Sequence, residues 1–277
     1  MNTALSLMPV FCDGMVLQRD REYEIWGREA AAENVNVEID GISVTAAVHG
    51  GRFRAALPPH PAGTGYTMTV HGSETLAVSD VCFGDVFLFS GQSNFELQCS
   101  RVLDVSGEEI AAADYPFIRE YKVAPSYRFD CPEDEVLPAF WRKAQGSRVY
   151  GMSAAAFFFA KELYEAKKIP IGIIVNAVGG SRIEAWLPEE EIIKLPGCAE
   201  KIAPYKVKGS LQKLTAGQDE EGMAWRRSIT KDIGFGKVPE QAICFYIPGL
   251  TVNTELNGFS GSLRFFKEVF LEKAPEG

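Results

Sequence analysis

Between residues 8 and 80 the apolar positions fall in short alternating or β-branched runs: Tyr23 to Trp26, Val35 to Ile39, Val44 to Val48, Phe53 to Leu57, Tyr66 to Val70 and Leu76 to Val78. Alternation with a period of two puts one face on a core and the other in water, so each run predicts a strand. Asp40-Gly41 marks a hairpin, because both residues tolerate the positive φ of a type I′ turn, and Gly50-Gly51 is a weaker signal of the same kind. Pro58-Pro59-His60-Pro61 cannot continue a strand ladder and predicts a loop. Evenly spaced short strands imply a small β-sandwich over residues 1–80.

At Val81 the rhythm changes to βα units. Val86-Phe87-Leu88-Phe89 is a continuous apolar run, as expected of a strand covered on both faces in a parallel sheet. Asn94 to Val102 and Glu108 to Ala113 read as helical, and Ile118 to Val123 as extended. Met152 to Lys167 is the clearest helix, with Ala155, Phe159 and Leu163 on one face and Ala156 and Ala166 flanking it. Lys167 and Lys168 suit its negative end, and Pro170 stops it. Ile171 to Val175 is a second buried strand, closed by a Gly179-Gly180 turn. Pro188 opens a short helix whose first turn carries Glu189, Glu190 and Glu191. Carboxylates there complement the helix dipole, so the triplet is read as structural, with no metal site and no cofactor implied.

From Lys206 to Gly236 the chain is polar, with Arg226-Arg227 read as solvated surface. Strands are expected at Ile243 to Ile247 and Leu263 to Phe270, the latter with aromatic residues on both parities. Both of its faces would need cover, so a complementing chain or an oligomer is expected to shield Phe265, Phe266 and Phe270.

Composition narrows the function. With 277 residues, 46% hydrophobic, there is room for two or three globular domains. A net charge of -9 argues against nucleic acid or an anionic membrane as partner, since both need a basic face. No stretch approaches the roughly 18 apolar residues of a membrane span. The N-terminus has no basic segment followed by a long apolar one, so a cytoplasmic location is expected. Six cysteines stand singly, without CxxC spacing, as reduced thiols do.

The candidate chemistry lies at Gly91-Gln92-Ser93-Asn94, where a buried strand gives way to a helix. A serine there projects at the carboxyl edge of a sheet, and its own N–H lies near a helix start that can stabilise an oxyanion. Position 95 is Phe, so this is not the G-x-S-x-G elbow.

Gly84 to Glu96, GDVFLFSGQSNFE, resembles the first signature of the sialate O-acetylesterase family of SGNH hydrolases, departing at Phe87, Phe89 and Phe95. Gly179 to Trp186, GGSRIEAW, is similar to the second, with Ser181 for Thr. Met15 to Arg19, Ile25-Trp26-Gly27 and Glu255 to Gly261 are similar to other parts of the family. The resemblance implies an α/β fold: an SGNH/flavodoxin-like three-layer half-domain over 81–205, preceded by the β-sandwich and followed over 206–277 by the start of an inserted jelly-roll. It implies a small acetylated sugar as substrate and Ser93 as nucleophile, forming an acetyl-enzyme. Ser93, Gly179 and Gly180 would form the oxyanion hole, and Gln92, Asn94 and Glu184 would bind substrate.

A serine needs a base, and in that family the base is the His of an Asp-x-x-His. Here the histidines are His49, His60 and His71, preceded at three residues by Ala46, Leu57 and Met68. All three are expected to be exposed and inert in the β module. The family's Gln-Gly-Glu block is also absent, so the chain is expected to be the front half of an esterase, inactive alone. The alternative is a non-catalytic carbohydrate-binding or interaction fragment.

Overall fold

The computed structural model describes residues 4–126 and 135–207, and residues 209, 210, 212, 213, 216, 217, 220, 221, 223 and 224. The expected jelly-roll strands at 243–247 and 263–270, Arg226-Arg227, the 255–261 motif, Cys131 and Cys244 lie outside the described residues. The chain divides into two units, Met1–Ala203 and Pro204–Gly277. In the second, the Ser210 hydroxyl donates to the Tyr205 carbonyl at 3.1 Å.

The first unit begins with β1 (Leu5–Leu7), β2 (Val16–Gln18), β3 (Tyr23–Glu29), β4 (Asn34–Ile39), β5 (Ile42–Ala47), β6 (Arg52–Leu57) and β7 (Gly63–His71). These are followed by the long β8 (Thr75–Gly91), the helices α1 (Ser93–Glu96) and α2 (Leu103–Ala111), and the strands β9 (Asp114–Lys122) and β10 (Trp141–Gln145). The helix α3 (Ala154–Lys167), the strand β11 (Ile171–Ala177) and the short helices α4 (Glu189–Ile192) and α5 (Cys198–Ile202) complete it.

β1, β3 and β6 make one sheet, and the order β10-β9-β11-β8-β7-β4-β5, with β2 also on β8, makes the other. Inward residues of both, among them Leu5, Ile25, Phe53 and Leu57 from the first and Val35, Val37, Met68 and Val70 from the second, share one core. Asp40 and Gly41 take φ of 47° and 75° and place Ile39 opposite Ile42, the hairpin that the sequence predicts. Gly50-Gly51 also turns, closing a His49–Arg52 bridge, but the strands beside it go to different sheets.

The change of rhythm at residues 80 and 81 falls inside a single strand. β8 pairs antiparallel with β7 through residues 75–83 and parallel with β11 through residues 85–91. One ladder thus belongs to both the alternating β region and the α/β region. The junction needs a glycine: a Cβ at Gly84 would come within 1.9 Å of the Pro170 carbonyl oxygen, which accepts the Asp85 N–H at 3.0 Å.

Two charged clusters hold the junction. Arg119, 1% exposed, donates through Nη1 to the carbonyls of Gly14 and Asp80 and through Nη2 to Asp80 Oδ1 at 2.9 Å. Lys143 Nζ stands 2.8 Å from the other Asp80 oxygen. Burial works against the Asp80 carboxylate, but Lys143 and Arg119 outweigh it and keep its pKa below the ordinary value. Asp85 accepts from Arg19 Nε at 2.7 Å and Lys167 Nζ at 3.0 Å, which ties β8 to the end of α3. Its pKa is lowered for the same reason, with two cations prevailing over desolvation.

Three expectations need correction. Val86 to Phe89 is not covered on both faces in the described residues. Phe87 and Phe89 pack on Phe159 of α3, at 5.0 and 5.5 Å between ring centroids, but Leu88, on the opposite face, is 66% exposed. The buried stripe of α3 is Ala156, Phe157 and Ala160, whereas Ala155 and Phe159 are exposed, so the helix is rolled by about one position. His60 is buried, at 4% exposure, instead of exposed. Its ring stacks on Phe83 at 3.9 Å, Nε2 meets Asp40 Oδ2 at 2.9 Å and Nδ1 meets the Pro61 carbonyl at 2.7 Å. The flanking prolines fix the loop so that the imidazole closes the core like an aromatic residue.

The cysteines described, Cys12, Cys82, Cys99 and Cys198, are all unpaired. No helix among the described residues is long and apolar enough to cross a membrane.

Candidate active site

Ser93 opens α1 directly after β8 ends, and it is solvent-exposed. Gly91 makes the exit from the strand, with φ of 147°. Instead of one long helix over 94–102, α1 spans four residues and is followed by a 3-10 turn at Cys99–Arg101. The break has a visible cause, since the backbone here serves another element. Leu97 C=O accepts from Ala154 N–H at 2.8 Å and Cys99 N–H donates to Met152 C=O at 2.9 Å. The segment after Ser93 is thereby fastened to the start of α3.

That start is fixed from below. The Ser153 hydroxyl caps α3 by accepting from Ala156 N–H, and Ser153 N–H donates to Glu120 Oε2 at 2.7 Å. Glu120 is buried, and desolvation raises its pKa against the opposing pull of the Ser153 N–H and of Arg142 at 3.4 Å. Burial, followed by the nearby Glu120, pushes the Cys99 thiol up to about 12, so it is not a nucleophile at neutral pH.

The register of β8 and β11 brings the two glycine-containing segments together. Ala177 lies opposite Gly91, and Val178 N–H donates to Gly91 C=O at 3.0 Å. Both strands therefore finish at one edge of the sheet, with the Gly179-Gly180 turn beside Ser93. A Cβ on Gly179 would lie 3.8 Å from Ser93 Cα and Cβ and 2.8 Å from Glu96 Oε2. Glycine is the residue that allows this approach.

Gly179 N–H donates to Glu96 Oε2 at 2.5 Å. Gly180, at φ of 77°, sits in the Val178–Ser181 turn closed by a 3.2 Å hydrogen bond. The other Glu96 oxygen stands 3.9 Å from Lys122 Nζ. Ser93, Glu96 and Lys122 line an open cleft of about 260 Å³ together with Leu97, Gln98 and Arg101.

Gln92 and Asn94 flank Ser93 and are exposed, while Glu184 is half-buried in the 3-10 turn Ile183–Trp186 beyond the glycines. None of the three lines the cleft. Trp186 Nε1 donates to Ser181 Oγ at 3.1 Å, which holds that turn closed. The three charged residues of the cleft were not singled out from sequence. Glu96 stands inside the first motif, three positions after the serine, and offered a signal there, whereas Lys122 and Arg101 reach the cleft only through the fold. No histidine lines it: His49 and His60 belong to the β region, and His71 is at the end of β7 beside Thr75. Among the described residues no three His, Cys, Asp or Glu side chains converge to hold a metal ion.

The family model described as carbohydrate esterase, sialic acid-specific acetylesterase, matches residues 83–195. The sialate O-acetylesterase of Homo sapiens is 36% identical over 118 residues, 40% of this chain and 23% of that protein. That of Mus musculus is 35% identical over 118 residues, 40% of this chain and 22% of its own length. The chain thus spans about a quarter of the length of the curated relatives it matches. A crystal structure of a carbohydrate acetylesterase from Xanthomonas citri superposes with a TM-score of 0.63 and 34% identity, covering 67% of this chain and 43% of the other. The segment that carries Ser93, Glu96 and Gly179 in one corner thus lies within residues 83–195, the part of the chain that matches the sialic acid-specific acetylesterase family of carbohydrate esterases.

Proposed function

We propose that Ser93 is the nucleophile of a carbohydrate O-acetylesterase that removes acetyl groups from sialic acid or a related sugar through an acetyl-Ser93 intermediate. The observation that carries this is the juxtaposition of Ser93 with the Gly179-Gly180 turn, set by the register Ala177 opposite Gly91. Attack of Ser93 Oγ on the acetyl carbonyl would form the C–O bond and an oxyanion, which the Ser93 and Gly180 N–H groups would receive. Collapse would expel the sugar alkoxide, which takes a proton, and water would then release acetate from the serine. In this scheme Gln92, Asn94 and Glu184 would contact the substrate.

The step that lacks a group is proton removal from Ser93. All three histidines sit outside the cleft, and Gly179 N–H is engaged by Glu96, so it is not open to an oxyanion. A catalytic centre without its base typically retains about 10³ to 10⁴ over water. Residues 1–277 alone are therefore expected to turn over slowly, with a base supplied from outside the described residues. The same two facts favour, as a second reading, a fragment that binds acetylated sugar without hydrolysing it.

Hydrolysis of 4-nitrophenyl acetate and of an O-acetylated sialic acid by the purified chain, beside Ser93→Ala, tests this. Weak hydrolysis abolished by Ser93→Ala supports the nucleophile. Rates typical of a complete esterase would refute the missing base. Sugar binding with no difference between wild type and Ser93→Ala in hydrolysis would favour the second reading.

A further inference from the structure

Three parallel strands finish at the edge of the sheet that carries Ser93. β11 pairs with β8 on one side and with β9 on the other, so Val175 faces Phe89 across one ladder and Lys122 across the other. Lys122 is the last residue of β9, and it lines the same cleft as Ser93. Arg101 enters that cleft from the 3-10 turn Cys99–Arg101, which the bond from Cys99 N–H to Met152 C=O holds in place. Two cations from separate elements therefore stand at the carboxyl edge, where open α/β sheets take their ligands.

Neither cation is satisfied by the described residues. Lys122 Nζ, on a side chain 29% exposed, has Glu96 Oε1 at 3.9 Å, beyond hydrogen-bond reach, and the other Glu96 oxygen is engaged by Gly179 N–H. The Arg101 guanidinium makes no side-chain hydrogen bond or ion pair among the described residues. By contrast Lys143, Lys161 and Lys167 each stand no more than 3.0 Å from a carboxylate oxygen. Drawing an ammonium partly out of water without an acceptor is costly, and one carboxylate does not balance two cations. This local positive excess sits beside Ser93 in a chain whose net charge is -9.

We propose that Arg101 and Lys122 are specificity residues of the Ser93 cleft, which receive the carboxylate of an acidic sugar and so favour carboxylated over neutral acetylated substrates. The inference rests on the reading of Ser93 as the nucleophile. Arg101 offers paired N–H donors that match a carboxylate, and Lys122 adds a compact charge. Because both line one cleft of about 260 Å³ with Ser93, a single sugar can present its acetyl group to the serine and its carboxylate to the cations.

N-Acetylneuraminic acid and its methyl ester differ by that charge and make a matched pair of probes. Each is titrated into the whole chain carrying Ser93→Ala, so that no ester is consumed, while the Gly179 backbone amide resonance is followed by NMR. The free acid is expected to bind about tenfold or more tightly than the ester. Arg101→Gln and Lys122→Gln, each added to Ser93→Ala, are expected to weaken the free acid about tenfold and to erase most of its advantage over the ester. Equal binding of acid and ester, or no binding of either, would overturn the proposal. Acetate binding as tightly as the free acid would reduce the cleft to an anion site and overturn it as well. Hydrolysis of 4-nitrophenyl acetate by the wild type separates the two readings. Ser93-dependent hydrolysis with equal binding of acid and ester refutes the specificity residues alone, whereas a preference for the acid without such hydrolysis supports the carboxylate receptor and refutes the nucleophile.

Discussion

The Gly179 amide donates to the Glu96 carboxylate at 2.5 Å, a bond between the turn after one central strand and the helix after its neighbour. It joins the two segments that the family shares, and it holds the glycine turn in position beside Ser93. A charge-assisted hydrogen bond of this kind contributes about 1.5–3 kcal/mol. Glu96→Ala is therefore expected to speed hydrogen exchange of the Gly179 amide by about tenfold or more, with little effect on amides of the β4–β5 hairpin. Exchange measured by NMR would show it, and an unchanged rate at Gly179 would mean that the turn is held by its own backbone.

Arg119 is the member of the junction whose loss should cost most. It satisfies the carbonyls of Gly14 and Asp80 as well as the Asp80 carboxylate from a fully buried position. Arg119→Met keeps the volume but strands the carbonyls of Gly14 and Asp80, at about 1–3 kcal/mol for an unsatisfied buried acceptor. Urea unfolding followed by tryptophan fluorescence should show the loss. Arg119→Lys should recover little of it, because one ammonium cannot span acceptors on two segments.

How much of this was legible in the sequence can be judged from particular residues. Asp40-Gly41 dictates its hairpin by φ preference, and Pro170 stops α3 where expected, with Lys168 in the left-handed conformation at its end. Ser93 and Gly179-Gly180 could be picked out because Gly84 to Glu96 and Gly179 to Trp186 resemble the two signatures of the sialate O-acetylesterase family. The bond from Glu96 to Gly179 could not, since it depends on strand register across 83 residues. Nor could the continuity of β8: alternation and continuous burial look like different strands, although one ladder passes from one regime to the other. His60 was misjudged because proline-rich composition indicates a loop and says nothing of whether a side chain of that loop turns inward.

Glu29 gives the fold a dependence on acid. Burial opposes its carboxylate, but the N–H groups of Ala31, Ser73 and Ala32 and the Ser73 hydroxyl outweigh that and hold its pKa at about 2. Its pKa is depressed on folding, so the stability it provides is fully present above the unfolded value of about 4.3 and is lost as pH falls toward about 2. Glu29→Gln is expected to lower stability at pH 7 by about 2 kcal/mol or more, because an amide N–H then faces backbone donors. The gap between wild type and variant should narrow between about pH 4.5 and pH 2, read from urea midpoints across that range.

Glu120 is predicted to slope the other way. Desolvation dominates at this site, and neither the Ser153 N–H nor Arg142 restores an ordinary pKa. A carboxyl with a raised folded pKa binds its proton more tightly in the native state, so its contribution is fully present below the unfolded value of about 4.3 and is lost as pH rises through the folded one. Glu120→Gln keeps an oxygen for the Ser153 N–H and removes the titration. Stability of the variant should accordingly fall less than that of the wild type as pH is raised from about 4.3 toward neutrality. Because Ser153 leads through α3 to Leu97 and Cys99, the same titration should also move the backbone amide resonances of Leu97 and Cys99 in the wild type. In Glu120→Gln those resonances should stay fixed over the same range, and if they still move, the coupling runs through another group.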